Sequence, residues 1–310
     1  MKVLVTGATG LIGRELGKVL VRAGHEVFVL SRSKNKVRQQ LSYPCQMIEA
    51  DLNQGPIQDP LMSQVEAVIH LAGENVGEGR WTSVRKKMIY DSRVGLIKNL
   101  FDSLKGNNSL QVFISASAIG IYGNRGNEEL TENSSRGSGF LADVCGDWED
   151  SVLSQKSAFP KTRFAVLRTG VVLSPSGGAL EKMTEPFRWG VGGALGNGKQ
   201  WVSWIHLKDL VKVYLKVLEA PTAEGVFNVV SENPVTNREL THAIAAALGK
   251  WVAPPVPSFV LKTLLGEMSS LVLDSLRVKP SALLKIGYSY EFPTVDAALE
   301  DCLKPLELVF

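Results

Sequence analysis

The sequence predicts an α/β fold, a doubly wound parallel sheet with a smaller C-terminal lobe, and three observations carry that expectation. Short apolar, β-branched runs alternate with helix-like stretches through the first half of the chain. A glycine-spaced turn joins the first run to the first helical stretch. After Leu173 the alternation gives way to glycine-rich loops, where a second lobe would begin.

Taken in order, "KVLVTG" reads as a strand, Ile12 to Ala23 as a helix and "EVFVLS" as a second strand. "CQMIEAD", "AVIHLAG" and "QVFISAS" supply three more, with "SVRKKMIYDSRVGLIKNLFDSL" a single long helical pattern between the last two. "RFAVLRTGVVL" is a sixth strand and "GVFNVV" a seventh that returns to the same sheet. Strands buried on both faces, separated by helices, demand parallel βαβ crossovers. Residues 1–173 plus about 205–230 are therefore expected to form the nucleotide-binding domain. Residues 174–204 plus 231–310 would form the substrate lobe, ending in a small helical unit at about 251–303 that "APPVPS" introduces.

The composition of these 310 residues, 45% hydrophobic and 21% charged, is that of an ordinary globular protein. A net charge of +3, from 34 basic and 31 acidic residues, gives no basic stripe for nucleic acid. Three cysteines without metal-ligand spacing predict neither disulfides nor a metal site and suit a reducing compartment. The chain opens directly into a strand, leaving no room for a signal peptide. Its most apolar later segment, Phe259 to Leu273, is interrupted by Lys262 and Glu267. A cytoplasmic protein with no membrane partner is the expectation.

"TGATGLIG" places Gly7, Thr9, Gly10 and Gly13 between a strand and a helix, the context of a Rossmann-type phosphate turn. Gly7 permits the tight turn, Gly10 lets backbone N–H groups approach a pyrophosphate, and Gly13 lets the helix pack on the strand. At the end of the second strand an NAD site would carry an acid; here Ser31 and Arg32 offer a hydroxyl and a guanidinium, suited to a 2′-phosphate. NADP(H) is the expected cofactor. Asp51 is a candidate partner for the adenine amino group. Ala72 and Gly73 allow close backbone approach, while Glu74 either faces the nicotinamide half or is a solvated loop acid.

"TGATGLIG", "HLAGE", "SASAIGIYG" and "WIHLKDLV", in this order, resemble the extended short-chain dehydrogenase/reductases, the group of sugar-nucleotide epimerases and dehydratases. "LAGENV", "GFLADVCGDWE", "LRTGVVLSPSGGAL", "PFRWGVGG" and "VKPSALLKIGYSYEFP" resemble more narrowly an atypical, NAD(P)-dependent epimerase-like branch. Its members carry a small C-terminal domain of unknown function, and some were formerly described as cell-division inhibitors. The resemblance implies Gly7, Gly10, Leu11 and Ile12 at the pyrophosphate, Ser31 and Arg32 at the adenosine phosphate, and Leu71, Ala72 and Glu74 along the cofactor. It further implies Ser92 and Arg93 reaching back toward it, and Thr169, Gly170 and Val171 beside the nicotinamide.

The same resemblance exposes a loss. Family members use a serine or threonine after the fifth strand, and a tyrosine four residues before a lysine. Residues i and i+4 share a helix face, so the lysine charge lowers the tyrosine pKa for proton exchange with a substrate hydroxyl. Here Phe140 and Val144 occupy those positions, and the serine position falls on Ala118 beside Ser117. The catalytic residues stay unassigned, and two routes stay open. Another acid could serve, from Ser117, Tyr122, Glu74 or His206; or the acceptor could be a quinone, flavin or conjugated enone that takes hydride with water as the acid. Tyr122 and His206 also read as structural, Cys145 as a small buried hydrophobe, and "DWED" as a helix face with Trp148 inward and its acids solvated. Lys199, Gln200, Trp201 and Trp204 read either as a substrate wall or as a loop pinned by buried tryptophans. An NADP(H)-dependent oxidoreductase acting on an unidentified small molecule is the leading expectation. A non-catalytic NADPH-sensing or partner-binding module is its alternative, a sugar-nucleotide epimerase comes third, and a homodimer stays open.

Overall fold

The computed structural model describes residues 1–303, so 304–310 of the expected lobe lie outside the described residues. Seven parallel strands form the central sheet: β1 (Lys2–Thr6), β2 (Glu26–Ser31), β3 (Gln46–Glu49), β4 (Ala67–His70), β5 (Val112–Ala118), β6 (Arg163–Thr169) and β7 (Gly225–Val229). Their spatial order is β7-β6-β5-β4-β1-β2-β3. The winding reverses between β1 and β4, and at such a switch point the carboxyl ends of two strands diverge to leave a crevice.

Strand alternation divides the core in two. Val3, Val5 and Ile69 face one layer with Leu16 and Leu20 of α1 (Leu11–Arg22) and with Leu210 and Tyr214 of the helix Leu207–Glu219. Leu4 and Val68 face the other, with Phe101, Phe113, Phe164 and Trp148. Both faces of the central strands β1, β4, β5 and β6 are covered, which is why these segments read as nearly unbroken apolar runs, whereas the edge strand β3 keeps Gln46 and Glu49 exposed.

The long helical pattern after β4 is not one helix. It comprises α2 (Ser83–Tyr90), a π turn over Asp91–Gly95 and α3 (Ile97–Ser103). Ser92 Oγ donates to the Ile89 carbonyl at 2.9 Å and Arg93 donates to it at 3.2 Å, so side chains enter the backbone ladder. Such insertion is a recognised cause of helix irregularity, and hydrophobic periodicity does not report it.

Beyond β6 a separate cluster joins Leu173, Leu180, Phe187, Trp204, Leu240, Ile244, Phe292 and Leu299. Buried Asp209 ties this region to the first, accepting from Tyr288 Oη at 2.9 Å and from the N–H groups of Glu291 and Phe292 at 2.9 and 3.0 Å. Among the described residues no helix is long and apolar enough to cross a membrane, and all three cysteines are free.

Candidate functional site

The turn between β1 and α1 is built at backbone distance from the loop after β4. Gly7 has φ +70°, and a Cβ there would lie 2.8 Å from the Leu71 carbonyl carbon and 2.9 Å from the Ala72 nitrogen. At Gly13 a Cβ would lie 2.5 Å from Ala8 Cα, so the helix meets the turn without a side chain between them. Gly10 is exposed and caps α1, whose N-terminus has no side-chain cap and no acid in its first turn. Its amide dipoles at Leu11 and Ile12, next to Thr9, are therefore left for an anion.

At the end of β2, Ser31 Oγ folds onto Ser33, donating to its carbonyl and accepting from its N–H, both at 3.2 Å. Arg32 is exposed and its guanidinium makes no hydrogen bond among the described residues. Asp51 accepts from the Asn53 backbone at 3.0 Å and its side chain at 2.8 Å. Those bonds, foremost the backbone one, and more weakly the Arg32 charge, hold its carboxyl below the usual range.

The loop Leu71–Glu74 is pinned from the π turn. The Glu74 N–H donates to Ser92 Oγ at 3.0 Å, Arg93 donates to the Glu74 carbonyl at 2.9 Å, and Arg85 meets the Glu74 carboxylate at 3.0 Å. A Cβ on Gly73 would sit 3.1 Å from the Arg93 guanidinium carbon. Ser92 and Arg93 thus fix the loop backbone. Opposite, Thr169, Gly170 and Val171 continue from β6, with Gly170 N bonded to Val229 O at 3.1 Å and Val171 N to Ser203 O at 2.9 Å. A Cβ on Gly170 would lie 2.6 Å from the Ser203 oxygen, so that strand end also needs glycine.

Where the family's tyrosine and lysine would stand, the chain has built an apolar wall. Phe140 opens α4 (Phe140–Leu153) and packs edge-on against Trp81 at 5.1 Å. Val144, 2% exposed, lies with Trp81 and Ile89, backed by Val76 and Met268. Lys86 of α2 stands over the Phe140 ring, its Nζ 5.2 Å from the centroid.

Three of the four alternative acids are buried and committed to other partners. Strand alternation turns Ser117 toward α4, where it donates to Glu149 Oε1 at 2.6 Å. Glu149 is paired with Arg168 at 2.9 and 2.7 Å, and Arg168 donates to Tyr122 Oη at 2.9 Å. Tyr122 in turn donates to Asn228 at 2.7 Å, and burial pushes its hydroxyl pKa up. His206 caps the helix after it, accepting from the Lys208 N–H at 3.1 Å, and burial pushes its pKa down. Only Glu74 of the four keeps substantial exposure. Cys145 is buried and its thiol is pushed up to about 12, by desolvation first.

One expectation needs correction, and one pair of alternatives is decided. Glu149 of "DWED" is not solvated but 5% exposed, because a buried guanidinium needs a buried carboxylate. Gln200 and Trp204 do not line a wall: Gln200 donates to Leu195 and Val272 carbonyls at 3.0 and 2.9 Å, and Trp204, fully buried, donates to Asn233 O at 3.0 Å. Trp201 is held by Asn127 at 3.1 Å and by the Arg277 guanidinium over its ring, while Lys199 is exposed.

Residues 3–230 match the NAD dependent epimerase/dehydratase family, and residues 256–302 match a domain of unknown function, DUF1731. An Arabidopsis thaliana protein, the chloroplastic SDR39U1 homolog of the epimerase family, is 37% identical over 96% of this chain and 86% of its own. The mouse epimerase family protein SDR39U1 is 34% identical over 97% and 99%. The crystal structure of human SDR39U1 (isoform 2) with NADPH superposes with a TM-score of 0.83 at 30% identity, covering 98% of this chain and 99% of that one. A UDP-glucuronic acid 4-epimerase from Bacillus cereus, at 19% identity and a TM-score of 0.76 over 98% and 96%, shares the fold. The chain belongs to the NAD-dependent epimerase/dehydratase family, in the SDR39U1-like branch that carries the DUF1731 domain at its C-terminal end.

Proposed function

We propose that this protein binds NADP(H) along the β1–β4 crevice and delivers hydride to an acceptor that needs no protonated tyrosine. The observation that carries the cofactor half is Arg32, an exposed guanidinium without a hydrogen-bond partner among the described residues, at the strand end where an NAD site would carry an acid. The human relative solved with NADPH supports the same choice. The backbone cradle fits a dinucleotide: Gly7, Gly10 and the N-terminus of α1 would hold the pyrophosphate, Ser31 and Arg32 the adenosine phosphate, and Leu71 to Gly73 and Thr169 to Val171 the nicotinamide half. When bound, the cofactor supplies or accepts a hydride, and the chain's own residues do the rest. The pinned Glu74 loop orients the ring, and the wall of Phe140, Val144 and Trp81 excludes water from one side of the reacting face.

With no ionisable hydroxyl on Phe140 and no charge on Val144, alcohol oxidation lacks its base. Hydride transfer to a quinone or conjugated enone places the charge on a delocalised oxyanion that water can protonate. The test is calorimetric titration with NADPH and NADH, followed by NADPH oxidation against quinones, enones and aldehydes. Tight NADPH binding is expected, and Arg32→Glu should weaken it more than tenfold while leaving NADH nearly unchanged. Unaltered NADPH affinity in that variant would remove the preference for the phosphorylated cofactor. The same apolar wall favours a second reading, an NADPH-sensing module, which tight binding without turnover of any acceptor would support.

A further inference from the structure

The segment from Glu74 to Lys86 bridges the sheet and the C-terminal lobe. Lys182 donates to the Gly77 carbonyl at 2.5 Å, and Arg80 donates to the Thr263 carbonyl at 2.8 Å. At its far end Lys86 pairs with Glu267 and hangs over Phe140, 5.2 Å from the ring centroid. Phe140 stands where the family has its proton donor, and the residues packed behind it, Trp81, Val144 and Ile89, bring no charge. The tertiary structure has set an ammonium against this ring from a different helix.

We infer that Lys86 is the group that meets the reduced acceptor and holds the negative charge created on it, an inference that rests on the hydride-transfer reading above. The balance is complete with the named components. The C–H bond of the dihydronicotinamide breaks as NADP⁺ forms, and the hydride bonds to one quinone oxygen; the other oxygen becomes the C–O⁻ facing Lys86, and one proton from water, which leaves hydroxide, completes the hydroquinone. Glu267 does not cancel this role. Its side chain is 62% exposed, so the pair is screened by water, and the flexible lysine can exchange a solvated carboxylate for an oxyanion held against an aromatic face. The acceptor class narrows accordingly to planar carbonyl compounds whose reduced form is a delocalised oxyanion.

Two readouts test this, and the first needs no turnover. 4-Nitrophenol changes colour on ionising, so its titration with the NADP⁺-loaded protein in excess reports a nearby cation. Wild type should lower the pH at which the probe ionises by about one unit, Lys86→Arg should keep that shift, and Lys86→Met should abolish it. The second readout is NADPH oxidation by a 1,4-naphthoquinone. Lys86→Met should lower kcat at least tenfold with the NADPH Kd within twofold of wild type. An unshifted probe with wild type, or an equal shift with Lys86→Met, overturns the role of Lys86, as does a kcat unchanged in Lys86→Met. A Lys86-dependent shift in a protein that reduces no acceptor overturns the hydride reading instead and leaves the oxyanion site standing.

Discussion

Phe140 lacks only the hydroxyl of the family's tyrosine, whereas Val144 replaces a long charged lysine stem with a short branched apolar side chain, and the surroundings are closed around both. Val144 is almost wholly enclosed among Trp81, Ile89 and Leu141. Restoring the lysine would bury an unpaired charge, so Val144→Lys should destabilise the protein by about 3 kcal/mol in urea unfolding. Phe140→Tyr alone should fold normally, since that ring is only half-buried. It should nonetheless show no gain in alcohol oxidation over wild type, because position 144 carries no lysine and Lys86 lies over the ring face rather than beside the edge that would carry the new hydroxyl. A measurable alcohol dehydrogenase activity in Phe140→Tyr would show that Lys86 substitutes for the missing lysine. The proton donor is thus absent through repacking of its whole neighbourhood.

At the scale of elements, the register of β5 and β6 decides which side chains reach the crevice. Ser117 pairs with Arg168 and Ala118 with Thr169, so the polar pair points to α4 and the small pair to the opposite face. Glu149 on α4 completes a buried network through Arg168 to Tyr122 and Asn228. Removing one partner leaves the other charge uncompensated: Arg168→Met should cost about 3–5 kcal/mol in thermal or urea unfolding, and a Glu149→Leu change made with it should recover much of that loss. Additive losses in the double variant would mean that the two groups act separately. The network joins β5, β6, β7 and α4, so its effect belongs to their packing and not to the chemistry in the crevice.

On the scale of the whole molecule, pH acts through burial at the centre of the sheet. His70 at the end of β4 is fully buried and bonded to Thr6 Oγ1 at 2.8 Å; desolvation first, then the Arg93 charge, pushes its pKa down to about 4. An unfolded histidine takes its proton near 6.5, so the unfolded state binds more protons between the two values. Stability should therefore be full above pH 6.5 and fall as pH drops toward 4, by about 3 kcal/mol from this residue. His70→Asn should flatten that slope in urea midpoints measured across the window. The seven sheet strands and the glycine turn were legible in the chain, because burial on both faces and a backbone-only contact restrict residue type locally; only the end of the sixth run was misplaced, since it breaks at Gly170 and Val171–Leu173 leaves the sheet to pair with Trp204–His206. The π turn was not, since its cause is a side chain reaching a carbonyl rather than a hydrophobic period. Nor were Glu149 with Arg168, 19 positions apart, or Lys86 over Phe140, which no local pattern links. By itself the sequence determined the sheet, the phosphate turn and the absence of the tyrosine–lysine pair, because these are written in residue type at short spacing. Only the tertiary structure decided which polar groups are sealed in ion pairs and which charge stands at the vacated position, because burial and long-range contact arise when distant segments meet.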